Sequence, residues 1–79
     1  MIAADVVFPP LSQEQPDAEG VLATWFVADG DQVAQGQLLG EVMVEKVSGE
    51  VHAPASGHVR LLVAEEQTAR QGEVIAVVE

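Results

Sequence analysis

The most constraining feature of the sequence is an alternation of apolar and polar residues on both sides of Lys46, the only lysine in the chain. Side chains of a β-strand point alternately to opposite faces, so each run predicts a strand with one mostly apolar face. Folding the runs back at Glu45-Lys46 pairs Val44 with Val47, Met43 with Ser48, Val42 with Gly49 and Glu41 with Glu50. This register keeps the apolar face on one side of both strands. The sequence therefore predicts a β-hairpin with one amine at its exposed tip.

The turn of this hairpin is less well specified. Glu-Lys is not the Asn-Gly or Asp-Gly pair that favours a tight primed turn. We therefore expect a type I turn, which most residues tolerate. Glu41 and Glu50, opposite each other in this register, should repel mildly.

Composition limits the classes of protein to which the chain can belong. Its 79 residues predict one small domain spanning residues 1–79. The absence of cysteine excludes disulfides and cysteine–metal sites, and two isolated histidines do not predict a metal centre. A net charge of −10 argues against nucleic acid and anionic membranes as partners, and favours a monomeric domain. With no spanning apolar run and no signal peptide, a cytoplasmic location is expected.

No stretch of the chain shows a sustained helical period, and turn signals recur every several residues. The pattern predicts an all-β sandwich or barrel. The predicted strands are Asp5–Phe8, Val21–Val27, Gln32–Ala34, Leu38–Glu45, Val47–Ala53, His58–Ala64, Thr68–Arg70 and Glu73–Glu79.

The chain also contains a weak internal repeat. Gly20-Val21-Leu22 resembles Gly57-His58-Val59, and the segment that begins at Gly36 resembles the one that begins at Gly72. A repeat of this length suggests two similar units packed about a pseudo-twofold axis, with Lys46 at their junction.

These motifs resemble the biotinyl/lipoyl attachment family, and within it the lipoyl domain of the acyltransferase component of 2-oxo acid dehydrogenase complexes. The resemblance extends from Val6 to Val78. It is carried by Glu19-Gly20, Gly30 to Val33, Gly36 with Leu38, Glu41 to Val47, Ala53-Pro54 and Ser56-Gly57.

The resemblance implies a flattened eight-stranded barrel or sandwich of two four-stranded sheets. It also implies that Lys46 carries covalently attached lipoic acid and shuttles acyl groups and reducing equivalents between active sites of the complex. The implied partners are a lipoate ligase or lipoyl transferase and the decarboxylase and dihydrolipoamide dehydrogenase components. No catalytic residue is expected in this chain, because the cofactor supplies the redox chemistry.

The residues that flank the lysine bear on which cofactor is attached. The family usually has an acidic residue before a lipoyl lysine, and Glu45 fits; biotin domains usually place their lysine between two methionines. Glu45 and Val47 are therefore expected to take part in recognition of the attachment hairpin. Two alternatives are a biotinyl carrier domain of a carboxylase and an unmodified structural adaptor, as in membrane-fusion proteins of efflux pumps.

Other positions carry weaker expectations. Gly49 and Glu66 depart from the family pattern, and are expected to weaken the outgoing strand and to disturb a turn that usually contains glycine. The family fold implies that the loop Leu11 to Asp17 lies near the tip, where it could contact partners. Trp25 is expected to be half-buried core. Because the sequence ends at Glu79 with no linker after the last strand, an excised domain of a dihydrolipoamide acyltransferase is expected.

Overall fold

The computed structural model describes residues 3–79, which form eight β-strands. The strands are β1 (Ala4–Val7), β2 (Glu19–Trp25), β3 (Gln32–Val33), β4 (Leu38–Val44), β5 (Val47–His52), β6 (Gly57–Leu61), β7 (Thr68–Arg70) and β8 (Val74–Val78). All eight strands expected from the sequence are present, and β7 has the predicted bounds. The largest difference at a strand end is in β6, which stops at Leu61 where the alternation predicted Ala64.

The strands form two antiparallel sheets of four, in the orders β1-β8-β6-β3 and β5-β4-β2-β7. Exchanging each strand with the one four places along the chain converts one order into the other. This correspondence agrees with the pseudo-twofold arrangement indicated by the repeat. The predicted sandwich is confirmed, but within residues 3–79 the two sheets are not closed into a barrel, because the strand pairing stays within each sheet.

The core lies between the two sheets and is apolar throughout the described residues. Its largest fully buried side chains are Phe8, Leu22, Leu39, Ile75, Val42, Val44, Val59 and Val78. Both sheets contribute to this set, as expected for a sandwich whose inner faces interdigitate. Burial of one face of β4 gives the hairpin beyond it a fixed base.

Four turns, two in each half of the chain, share the same backbone geometry. Backbone hydrogen bonds close the turns that begin at Ala28, Ala34, Ala64 and Arg70, each from the nitrogen three residues later. The third residue of each turn has a positive φ: Gly30, Gly36, Glu66 and Gly72. Glu66 therefore adopts, at φ 71°, a conformation that glycine adopts with less strain. Glu66, which departs from the family pattern at a position that is usually glycine, therefore lies in a turn that still forms.

No part of the described chain forms a helix long and apolar enough to cross a membrane.

Candidate functional site

The hairpin formed by β4 and β5 has the register predicted from the alternation. Val44 lies opposite Val47, Met43 opposite Ser48, Val42 opposite Gly49 and Glu41 opposite Glu50. The buried side chains of Val42, Val44 and Val51 fix the hairpin to the core, so the predicted apolar face is confirmed for these residues. Val47 lies beyond the core and is 49% exposed.

Lys46 lies in the two-residue connection between β4 and β5, and its side chain is exposed. Within residues 3–79, its amine has no carboxylate within ion-pair distance; the contacts found there join Glu50 to His52 and Arg60 to Glu79. The hairpin therefore presents a primary amine that a modifying enzyme can approach without first breaking an ion pair.

The conformation of Glu45 corrects the predicted turn type. Its φ is 55°, whereas the first central residue of a type I turn has a φ near −60°. A positive φ at this position is a feature of the primed turns, whose twist matches the right-handed twist of the two strands. The strand twist thus imposes a left-handed conformation on a residue other than glycine. The type I prediction is wrong.

The connection between β1 and β2 lies beside the hairpin tip, as the resemblance implied for its Leu11 to Asp17 segment. A groove of about 510 Å³ separates the two, lined by residues 10–14 on one side and by Val44, Glu45 and Val47 on the other. The side chain of Leu11 reaches the hairpin, where it occupies the space above Gly49. A partner that approaches Lys46 from this side would meet both segments.

A second, smaller groove lies on the outer face of the sheet that contains β2 and β4. Its volume is about 240 Å³, and Glu19, Val21, Met43, Glu45 and Thr68 are among its lining residues. Met43 is 36% exposed, so its thioether faces outward beside the tip. The negative charges of Glu19 and Glu45 border this apolar surface.

The other residues discussed in the sequence analysis lie against the core, in turns or on the surface. Trp25 is partly buried against the core, as predicted, and its indole Nε1 donates to the carbonyl of Val63 at 2.8 Å. Asp31 accepts from the backbone nitrogen of Ala28 at 2.8 Å, which closes the turn around Gly30. Both histidines are exposed. Residues 3–79 contain no group of three side chains able to hold a metal ion.

The carboxyl group of Glu65 is held by two hydrogen bonds from the end of β2. Its Oε2 accepts hydrogen bonds from the backbone nitrogen of Trp25 and from Thr24 Oγ1, both at 2.8 Å. The hydrogen bond from Trp25, followed by that from Thr24, lowers the pKa of this carboxyl below its usual value of 4.5. The carboxylate connects the β6–β7 segment to β2, away from Lys46.

The family comparison covers most of the chain. Residues 12–78 match the biotin/lipoyl family, which is described as "Biotin-requiring enzyme". A solved structure of the lipoyl domain of the 2-oxoglutarate dehydrogenase complex from Azotobacter vinelandii superposes with a TM-score of 0.76 at 27% identity. The alignment covers 96% of this chain and 95% of that domain.

Two curated relatives are much longer proteins. The lipoamide acyltransferase component of the branched-chain alpha-keto acid dehydrogenase complex of Bacillus subtilis is 42% identical over 62 residues, or 77% of this chain and 15% of that protein. The dihydrolipoyllysine-residue succinyltransferase component of the 2-oxoglutarate dehydrogenase complex of Cupriavidus necator is 34% identical over 80 residues, or 100% of this chain and 19% of that protein. The chain thus spans less than a fifth of either relative.

Proposed function

The chain belongs to the biotin/lipoyl attachment family, and from that premise we propose that it is a lipoyl carrier domain whose attachment residue is Lys46. The observation that carries the proposal is the placement of a single exposed lysine at the tip of a hairpin with a buried base. A protein that needs one specific amine to be modified gains selectivity when no other lysine competes.

The named relatives suggest the assembly that the domain serves. They are acyltransferase components of 2-oxo acid dehydrogenase complexes. We infer that the chain works in such a complex, with the decarboxylase and dihydrolipoamide dehydrogenase components as partners. A lipoate ligase or lipoyl transferase would carry out the modification.

The residues at the tip fit a covalently attached lipoic acid. When bound in amide linkage, this group supplies a dithiolane that accepts acyl groups and electrons. Lys46 supplies a long, flexible stem whose amine can form that amide. Tethering at one point keeps the effective concentration of a carried group high near neighbouring active sites.

The hairpin contributes position without supplying catalytic groups. Val42 and Val44 anchor β4 in the core, so the tip keeps a fixed place relative to the rest of the domain. Glu45 and Val47 are exposed on either side of the lysine, where a modifying enzyme could read them. Their recognition by that enzyme is part of the proposal.

A biotin carrier is the second candidate, because the matching family also includes biotin-requiring enzymes. The flanking residues favour lipoic acid: Glu45 precedes the lysine and Val47 follows it, whereas biotin domains usually have methionine at both places. Within residues 3–79 the one methionine, Met43, is three residues away from Lys46 and lies on the outer face of the sheet.

Intact mass after co-expression with a lipoate ligase and, separately, with a biotin ligase tests the proposal. We expect a lipoyl increment on the peptide that contains Lys46, and none in Lys46→Arg, which keeps the charge and removes the acylatable amine. A biotin increment would assign the chain to the carboxylases. A folded domain that accepts neither group would overturn both carrier functions and favour a structural role.

A further inference from the structure

The amide side chain of Gln71 joins two parts of the chain that are far apart in sequence. Gln71 lies in the turn between β7 and β8, and its Oε1 accepts a hydrogen bond from the backbone nitrogen of Ser12 at 2.7 Å. Its Nε2 lies within hydrogen-bonding distance of the carbonyl oxygens of Gln15 (3.0 Å), Pro16 (3.3 Å) and Ala18 (3.2 Å). One side chain therefore contacts four backbone groups of the β1–β2 loop.

The internal repeat provides a comparison within the same molecule. Gln35 occupies the equivalent place in the turn between β3 and β4, one residue before Gly36, as Gln71 precedes Gly72. Gln35 is exposed, and its side chain makes no hydrogen bond within the described part of the chain. The connection over it, residues 53–56, is short and is held instead by Ser56 Oγ, which accepts from the backbone nitrogen of Gln35 at 3.0 Å. The amide contacts of Gln71 therefore do not follow from the turn itself.

The contacts of Gln71 are made with the connection between β1 and β2, residues 8–18, which is longer than the corresponding connection over Gln35. A loop of this length without internal strands or helices needs attachments to hold one conformation. The side-chain amide of Gln71 forms hydrogen bonds with the backbone of residues 12–18, and Leu11 contacts the hairpin at Gly49. Together these attachments fix the loop across the groove from Glu45 and Val47.

We propose that Gln71 is a positioning residue that holds the β1–β2 loop beside Lys46, so that loop and hairpin tip form one surface for the decarboxylase partner. The inference rests on the proposed carrier function for its choice of partner. Gln71 itself lies outside the groove at the tip. It acts through the loop and needs no contact with the partner.

The first test measures loop order in the unmodified domain. Gln71→Met keeps a side chain of similar length and removes all four polar contacts, and Gln71→Glu keeps the acceptor for Ser12 while placing a carboxylate against three carbonyl oxygens. Both variants should lower the ¹⁵N order parameters of residues 12–15 and 17 from about 0.85 to below about 0.6. Gln35→Met and Gln35→Glu, the matched controls, should leave these values unchanged.

The second test measures reductive acylation of the lipoylated domain. The decarboxylases of the branched-chain, pyruvate and 2-oxoglutarate complexes are compared on the wild type, and the one with the highest kcat/KM is used. Gln71→Met should raise the KM for the domain about tenfold, a change of about 1.4 kcal/mol, with kcat unchanged. Its rate of modification by the lipoate ligase should equal that of the wild type.

The two tests separate the inference from the function on which it rests. A loop that stays ordered in both Gln71 variants would overturn the positioning role, as would a disordered loop with an unchanged KM. Equal effects in the Gln35 controls would also overturn it. If no decarboxylase acylates the lipoylated wild type, the carrier function and the partner role of the loop both fail, whereas the order parameters still decide whether Gln71 holds it.

Discussion

The side chain of Leu11 occupies the space that a side chain at Gly49 would fill. A Cβ at position 49 would lie 2.6 Å from Leu11 Cδ2 and 3.3 Å from Leu11 Cδ1. Gly49 had been expected only to weaken β5, yet the pairing with β4 is continuous through it. Its lack of a side chain is what allows the β1–β2 loop to contact the hairpin.

A double-mutant cycle measures this relationship. Gly49→Val should cost about 1 kcal/mol in the free energy of unfolding, because the crowding of Leu11 exceeds the gain from replacing glycine in a strand. In a Leu11→Ala background the same change should stabilise the domain, because the space above position 49 is then open. The coupling energy, measured by urea unfolding of the four proteins, should be on the order of 1 kcal/mol. Additive effects would show that Leu11 moves aside without cost.

Glu45 has a conformational role in the turn and a proposed role in recognition by the modifying enzyme. Its positive φ allows variants that test the two roles separately. A left-handed conformation costs a residue other than glycine about 1–2 kcal/mol, whereas glycine loses about 0.5–1 kcal/mol more backbone entropy on folding. Glu45→Gly should therefore stabilise the domain by about 0.5 kcal/mol in urea unfolding, and the β-branched Glu45→Val should destabilise it by about 1 kcal/mol.

The same variants test recognition of the attachment hairpin. If the modifying enzyme reads the carboxylate of Glu45, Glu45→Gly will be modified more slowly although it is no less stable. Glu45→Gln, which keeps the shape of the side chain, serves as the control for charge. Modification of Glu45→Gly at the wild-type rate would limit Glu45 to a conformational role.

The hairpin was the part of the fold most fully determined by local sequence. Alternation of Val42 and Val44 with polar residues leaves one register that buries the apolar face, and the structure has it. The turn conformation at Glu45 was not predictable from its two residues, because it depends on the twist of the strands. The contacts of Gln71 with the β1–β2 loop could not be predicted from the sequence either. The repeat aligns it with Gln35, but only the long connection between β1 and β2 distinguishes the two.

Glu65 should give the domain a measurable pH dependence. Its pKa is lower in the folded state, so its contribution to stability is fully present above the usual value of 4.5 and is lost as the pH falls through the lowered pKa. Glu65→Gln should be less stable than the wild type near pH 7, and the difference should shrink as the pH is lowered towards about 3. Urea unfolding across this range measures it.

Glu66→Gln is the matched control for this prediction, because Glu66 is the exposed neighbour of Glu65 and its side chain makes no hydrogen bond within residues 3–79. Its stability should follow that of the wild type at each pH. A constant difference between wild type and Glu65→Gln across the range would mean that the hydrogen bonds to Thr24 and Trp25 persist when the carboxyl is protonated.

A single methyl group at Gly20 would crowd both the core and the backbone of a neighbouring strand. A Cβ there would meet the ring of Phe8, lie 2.5 Å from the carbonyl oxygen of Met43 and lie 2.9 Å from Val44 Cγ2. The carbonyl belongs to the backbone of β4, which pairs with both β2 and β5 and cannot shift without disturbing those ladders. Gly20→Ala should therefore cost about 2–3 kcal/mol in urea unfolding, whereas the exposed control Ser48→Ala should change stability by less than about 0.5 kcal/mol. A loss below about 1 kcal/mol for Gly20→Ala would show that β2 and β4 can separate locally, and the hairpin base would then be less rigid than a carrier tip at Lys46 requires.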